Sequence, residues 1–169
     1  MATEALKSTQ VTNADASPAT LNSAAVAGGY LRELIGVVEV TNGTTTGSTY
    51  RMVRVNSSDR ISRILLSCDD IGTTLTADCG IYQTAANGGA VVDADCFASA
   101  VSLKDGALTN SDITHESGVW DIANESYRVW QVLGLSSDPK REYDIVLTST
   151  ANADAGGTIS LKVQLQRNP

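Results

Sequence analysis

The sequence of 169 residues has few aromatic and few charged side chains. Aromatic residues make up 5% and charged residues 18%, below the usual charged quarter of a globular protein. Ser, Thr, Asn and Gly are common instead, and Ala and Val supply much of the 42% that is hydrophobic. Small β-formers and turn-formers of this kind favour many short strands joined by tight loops.

The chain also lacks long apolar runs and basic clusters. No run approaches the roughly 20 residues that span a bilayer. The first ten residues, MATEALKSTQ, lack the basic start and apolar stretch of a signal peptide. We therefore expect synthesis and folding in the cytoplasm. The net charge of -7 repels phosphate backbones and anionic membranes, so we expect neither nucleic acid nor membrane as a partner.

Cysteine is scarce, and its pattern does not indicate a disulfide framework. Cys68, Cys79 and Cys96 are odd in number, and their spacings of 11 and 17 match no zinc motif. We expect buried, free thiols that behave as small apolar side chains. A Cys68–Cys79 bridge is the alternative, and it requires Cα atoms within about 7 Å.

A single histidine, His115, limits catalysis, because any Ser-His-Asp or Cys-His device must include it. It lies in the polar segment SDITHESG, which predicts a solvated loop histidine. The sequence contains neither GxSxG nor HExxH. We therefore predict that the protein is not an enzyme and has no catalytic residues, with a small hydrolase using His115 as the alternative.

Three pairs of carboxylates lie close in sequence: Asp69 and Asp70, Asp93 and Asp95, and Asp112 and Glu116. Oxygen ligands on loops are what Ca²⁺ prefers. None of the pairs has the spacing of an EF-hand loop, however. We predict no metal ion and no cofactor.

The first 29 residues differ in composition from the rest. They are rich in Ala, Ser, Thr and Asn, and their larger aliphatic residues are Leu6, Val11, Leu21 and Val26. Such a segment buries too little apolar surface to offset its ordering entropy. We predict an extended N-terminal arm over residues 1–29, whose four aliphatic side chains bind a partner. An arm folded back on its own domain is the alternative.

Residues 30–169 predict one domain with seven or eight strands. The candidate strands are Leu34–Thr41, Tyr50–Val55, Ile61–Cys68, Ala77–Gln83, Ala90–Val92, Cys96–Leu103, Tyr143–Thr148 and Ile159–Gln166. The first two, joined by NGTTTGST, predict a hairpin. Asn87-Gly88-Gly89 predicts a turn. Strict alternation over Ile159–Gln166 predicts one face on the core and one in water.

One short helix is predicted near residue 130. Asn124 can cap it, Val129 and Leu133 belong to its apolar stripe, and Gly134 suits the position after its end. The whole pattern predicts a mainly β fold, an antiparallel β-sandwich or jelly roll. Trp120 and Trp130 are predicted core or interface anchors. In a carbohydrate-binding module, a remote alternative, one of them would be exposed.

Two long stretches, Tyr50–Val101 beginning YRMVRVNSSDR and Asp112–Gln164 beginning DITHESGVWDI, resemble small structural proteins encoded among the head genes of tailed phages. The resemblance implies a virion protein that is assembled in the bacterial host cytoplasm. A capsid decoration (cement) protein on the capsid surface is expected, bound to the major capsid protein as a homotrimer or other homo-oligomer. A head–tail connector, tail or fibre subunit is the alternative. No functional residues come with the resemblance.

Overall fold

The structure is a computed structural model that describes residues 6–22, 27, 29–104 and 106–167. They form a mainly β fold of eight strands in two sheets, as predicted. The strands are β1 Leu31–Val40, β2 Thr49–Asn56, β3 Arg60–Cys68, β4 Thr76–Gln83, β5 Val91–Ser102, β6 Leu108–Asp112, β7 Glu142–Ser149 and β8 Gly157–Gln166. The helices α1 Thr9–Asp15 and α2 Val129–Val132 are short. None in the described part of the chain is long and apolar enough to cross a membrane.

The two sheets are antiparallel and have four strands each. The first has the order β1-β8-β3-β6, and the second has the order β2-β7-β4-β5. The predicted hairpin of β1 and β2 is therefore wrong, because the two strands lie in different sheets. Their connection crosses between the layers, which lie about 10 Å apart in a sandwich. At Gly36 of β1, a Cβ atom would lie 2.2 Å from the backbone oxygen of Met52 in β2, so only glycine permits this close approach.

The core lies between the sheets and continues beneath the long segment that precedes β7. β8 supplies alternate buried residues, as predicted: Ile159, Leu161, Val163 and Leu165. Trp120 is fully buried, and its ring centroid lies 5.1 Å from that of Phe97. Trp120 is thus the predicted core anchor, and it fixes the segment 113–124 to the end of the sandwich.

Several details of secondary structure differ from the prediction. The candidate strands Ala90–Val92 and Cys96–Leu103 are parts of the one strand β5. β6 is missing from the prediction, because the sequence LTNSD has almost no apolar residue to reveal a strand. The predicted helix is confined to α2, where Arg128 and not Asn124 takes the N-cap position, and a separate 3₁₀ turn covers Ile122–Asn124. Gly134 has a φ of 69° directly after the helix, which is the left-handed conformation expected there.

The described part of the arm bonds largely to itself. α1, which the sequence did not reveal, begins after Ser8, whose hydroxyl accepts a hydrogen bond from the amide of Val11. The side chains of Lys7 and Asp15 form an ion pair at 2.7 Å. No residue of α1 is buried. The helix therefore gains little from tertiary packing, on which most short helices depend.

Candidate functional site

The two ends of the sandwich have different surfaces. The end at which β1 begins and β8 finishes also carries the loops 57–59, 84–90 and 113–141, and we call it the arm end. The opposite end carries the loops 41–48, 69–75 and 150–156 together with the connection between β5 and β6, and we call it the far end. The arm joins the domain at the arm end, since Tyr30 leads directly into β1.

Exposed large apolar side chains concentrate at the arm end. They are Tyr30, Leu31, Val91, Val92, Val119, Ile122, Tyr127 and Leu135. Tyr30 is 87% exposed and Ile122 is 71% exposed. No large apolar side chain is exposed on the far-end loops 41–48, 69–75 and 150–156, all of whose residues are described. Apolar and aromatic side chains of this kind mark interaction surfaces, whereas single exposed ones are ordinary.

A buried ion pair holds the arm end together. The carboxylate of Asp59 is fully buried and accepts two hydrogen bonds from Arg167, at 3.0 and 2.9 Å. The amide of Asn56 donates to the same carboxylate at 2.8 Å. The backbone oxygen of Asp59 accepts from the amide of Val129 at 2.9 Å. The hydrogen bond to Asp59 raises the pKa of Arg167. The β2–β3 turn, α2 and the end of β8 are thus joined at one residue.

Arg60 attaches the exposed loop to the first sheet. Its Nη1 donates to the backbone oxygen of Glu125 at 2.9 Å, and its Nε donates to Gln166 at 3.0 Å. Burial lowers the pKa of Arg60, although the carboxylate of Glu125 opposes this shift. Gln166 pairs with Leu31 on its other side. Ile122 and Tyr127 therefore stand on a loop that is bound to the sheet on which Leu31 lies.

His115 contributes to the same loop and is not the solvated residue that was predicted. Its side chain is 25% exposed. Its Nδ1 donates to the backbone oxygen of Trp120 at 2.6 Å, and its Nε2 lies 3.8 Å from the carboxylate of Glu125. No sequence pattern indicates this bond, because the acceptor is a backbone atom. The bond gives His115 a structural role in the loop.

The far end satisfies its polar groups internally. The side-chain oxygen of Asn152 accepts from the amide of Thr46 at 2.9 Å. The carboxylate of Asp154 accepts from the amide and the hydroxyl of Thr73, at 2.9 and 2.7 Å. Both hydrogen bonds lower the pKa of Asp154, and the one from the Thr73 hydroxyl has the larger effect. These bonds join three loops into one polar surface.

The paired carboxylates are engaged in local structure. Four of them accept a hydrogen bond from a backbone amide: Asp69 from Thr158, Asp70 from Gly72, Asp93 from Asp95 and Glu116 from Ser99. Asp112 accepts from the amide of Thr114 and forms an ion pair with Arg63. Burial raises the pKa of Asp93, and the neighbouring side chain of Asp95 raises it further. The hydrogen bond from the Asp95 amide opposes this shift. Within the ranges that the structure describes, no three His, Cys, Asp or Glu residues cluster to hold a metal ion.

The three cysteines are buried, as expected from their apolar character. Cys68 lies on β3 of the first sheet and Cys79 on β4 of the second, and both are free. Burial raises the pKa of the Cys79 and Cys96 thiols, which keeps them protonated and unreactive. The redox state in an assembled particle stays a prediction.

The arm residues proposed for partner binding are exposed where the structure describes them. Leu6 is 86% exposed, Leu21 is 96% exposed and Val11 is 46% exposed. Val26 lies outside the described residues. The role of these side chains in partner binding stays a prediction.

The apolar surface of the arm end was missed in the sequence, although one signal was present. β1, LRELIGVVEV, has apolar residues on both faces, which is typical of a strand that is covered on both sides. β8 alternates strictly instead. Ile122 and Tyr127 could not be assigned to a surface, because a loop has no periodicity that separates inside from outside.

Comparison with known proteins shows the fold alone. No family model matches the sequence, and no curated protein matches it. In structure, the chain is similar to a chain of the capsid of Ralstonia phage GP4, with a TM-score of 0.53. It is also similar to a chain of the capsid asymmetric unit of cyanophage Pam1, with a TM-score of 0.50. In both cases the identity is 15%, over 83% of this chain and 86% of the other. The β-sandwich is thus a fold found in chains of two phage capsids.

Proposed function

We propose that the chain is a non-enzymatic structural protein of a tailed-phage virion, and specifically a capsid decoration (cement) protein that binds the major capsid protein through its arm end. The observation that carries this proposal is the placement of the exposed apolar side chains at the end from which the arm leaves. The fold similarity to chains of two phage capsids supports a virion location. We also assign the strand order to the eight-stranded jelly roll.

A decoration protein requires one adhesive surface and one surface that remains in solvent. The arm end supplies aromatic and aliphatic side chains beside arginine, which is the composition that interfaces favour. The far end supplies the second surface, because its polar groups are bonded among themselves and its exposed Asp69, Asp70 and Asp154 carry negative charge. Such a surface discourages association between neighbouring molecules.

The head–tail connector, tail or fibre subunit is the second candidate, since the fold does not distinguish it. The number of copies per particle separates the two. Quantitative mass spectrometry of purified particles should find on the order of hundreds of copies for a decoration protein, against about a dozen or fewer for a neck or tail subunit. A count of about a dozen would contradict the decoration role and support the connector.

The carbohydrate-binding module has less support. Its aromatic platform is predicted at Trp120 or Trp130, but Trp120 is fully buried and Trp130 is half-buried. Particle binding without any added sugar, measured by co-sedimentation, is the expected behaviour.

A further inference from the structure

The edges of the two sheets are protected unequally. A sheet edge exposes unpaired backbone groups, and proteins protect such edges with short strands, bulges or charged side chains. Three of the four edge strands here follow that rule, and β1 does not.

β2, β5 and β6 each carry a recognised protection. β6 has five residues, and its register with β3 is interrupted. β5 pairs with β4 through three irregularities. β2 is bulged between Arg51 and Val53.

β1 is long, regular and apolar on its outer face. Its ten residues pair with β8 without a single interruption. Leu31, Ile35 and Val37 are all more than half exposed. The two carboxylates on the same face lean across the sheet, because Glu33 accepts from Gln164 and Glu39 accepts from Thr158. The side chains at the free edge of this face are therefore the apolar ones of Leu31, Ile35 and Val37.

We propose that the N-terminal arm of a second copy of this chain pairs with the free edge of β1 as an additional strand of the first sheet. Addition of a strand to an open edge satisfies the backbone groups and covers the neighbouring side chains. It would explain why β1 is apolar on both faces, as strands covered on both sides are.

The arm fits this edge better than the body of a second copy does. Residues 1–29 carry Glu4, Lys7 and Asp15, so the net charge of -7 leaves -6 on the remaining residues. Two bodies placed edge to edge would bring two net charges of -6 together, whereas an arm placed at the edge of a body adds a net charge of only -1. The arm also needs a surface, because Leu6 and Leu21 are almost fully exposed.

The reach of the arm permits an exchange between copies. A chain spans about 3.3 Å per residue when extended, so 29 residues can both cross to a neighbour and follow β1. Among the described residues, β1 pairs with β8 alone, and Leu21, ten residues before β1 begins, is 96% exposed. Exchange of identical elements of this kind is a common route to homo-oligomers.

The test uses the purified full-length chain, without phage particles, and a matched pair of variants. Val37→Lys places a charge on the outer face of β1, and Thr49→Lys places the same charge on an exposed residue of the edge strand β2, outside the apolar surface of the arm end. Sedimentation velocity should show that the unmodified chain self-associates. Val37→Lys should weaken association at least tenfold, about 1.4 kcal/mol, while Thr49→Lys should not change it. Circular dichroism should show that both variants fold.

The occupant is identified with a photo-reactive residue at position 37 in a mixture of ¹⁴N and ¹⁵N chains. Cross-links of mixed isotope composition to residues 6–27 are expected. Cross-links within one chain, cross-links to β1 of a second body, or a full-length chain that remains monomeric at its highest soluble concentration would each overturn the proposal. Since no particle is involved, none of these results bears on capsid binding, which the copy number tests separately.

Discussion

The arm end and the far end of the sandwich are built from the same few residue types but stabilised in different ways. At the far end, Thr73 and Asp154 form hydrogen bonds between loops that remain in water. At the arm end, a fully buried Asp59 is paired with Arg167, and apolar side chains such as Ile122 are left exposed. Exposed apolar groups that are held in place by internal bonds are typical of a surface that binds a partner. A surface whose polar groups bond to one another is typical of one that remains in solvent.

Removal of the arm should have the largest effect on binding. A chain that lacks residues 1–28 should remain folded, because no residue of α1 is buried and the core lies between residues 36 and 165. Its attachment to particles should weaken by about a hundredfold or more, since linked contacts raise avidity by such factors. Co-sedimentation with particles measures the attachment. An unfolded truncated chain, or one that attaches at full occupancy, would contradict this account of the arm.

The ion pair of the arm end should matter more for stability than the hydrogen bonds of the far end. Arg167→Ala leaves the buried Asp59 without its counter-charge, which should lower the free energy of unfolding by about 3–5 kcal/mol in urea titrations. Asp154→Asn at the far end should have a smaller effect.

The effect of Asp154→Asn should also depend on pH. The lowered pKa of Asp154 adds stability above the unfolded value of about 3.9, and that stability is lost as the pH falls through the folded value. The difference between wild type and Asp154→Asn should therefore shrink in acid. Equal losses from Arg167→Ala and Asp154→Asn at neutral pH would remove the distinction between the two ends.

A charge placed on either end distinguishes their roles in attachment. Ile122→Asp should weaken binding to particles by about tenfold or more, because a charge on an apolar contact must be desolvated. Thr45→Asp, a substitution of an exposed residue in a far-end loop, should leave binding unchanged. Both variants should unfold at the wild-type temperature. A loss of attachment for Thr45→Asp alone would reverse the assignment of the two ends.

His115→Ala should have the smallest of these effects. Loss of the bond to the Trp120 backbone oxygen should lower the free energy of unfolding by about 1 kcal/mol, measured by thermal or urea denaturation. Particle attachment should not change, and a screen of ester, peptide and glycoside substrates should show no activity in either protein. A hydrolytic activity that His115→Ala abolishes would contradict the non-enzymatic function.

The sequence predicted what periodicity encodes and missed what depends on position in the fold. β8 was recognised because Ile159, Leu161, Val163 and Leu165 alternate with polar residues. The pairing of β1 was missed, because an apolar run fits a hairpin and a crossing connection equally well. β6 was missed because its residues are nearly all polar.

The candidate site could be predicted only in part. The arm was found from its composition, which is a local property of the chain. The surface at Tyr30, Ile122 and Tyr127 was not, because exposure of an apolar residue results from the arrangement of the whole sandwich. The buried pair of Asp59 and Arg167 joins positions 108 residues apart, and no local pattern reveals such a contact.

The most direct test of the account is a cryo-EM map of the intact particle at a resolution that separates strands. The sandwich should lie on the outer surface of the head, with Tyr30, Ile122 and Tyr127 against the major capsid protein and the loops 41–48, 69–75 and 150–156 in solvent. Density for the sandwich in the neck or tail, or on the head with the far end against the shell, would contradict the central claim.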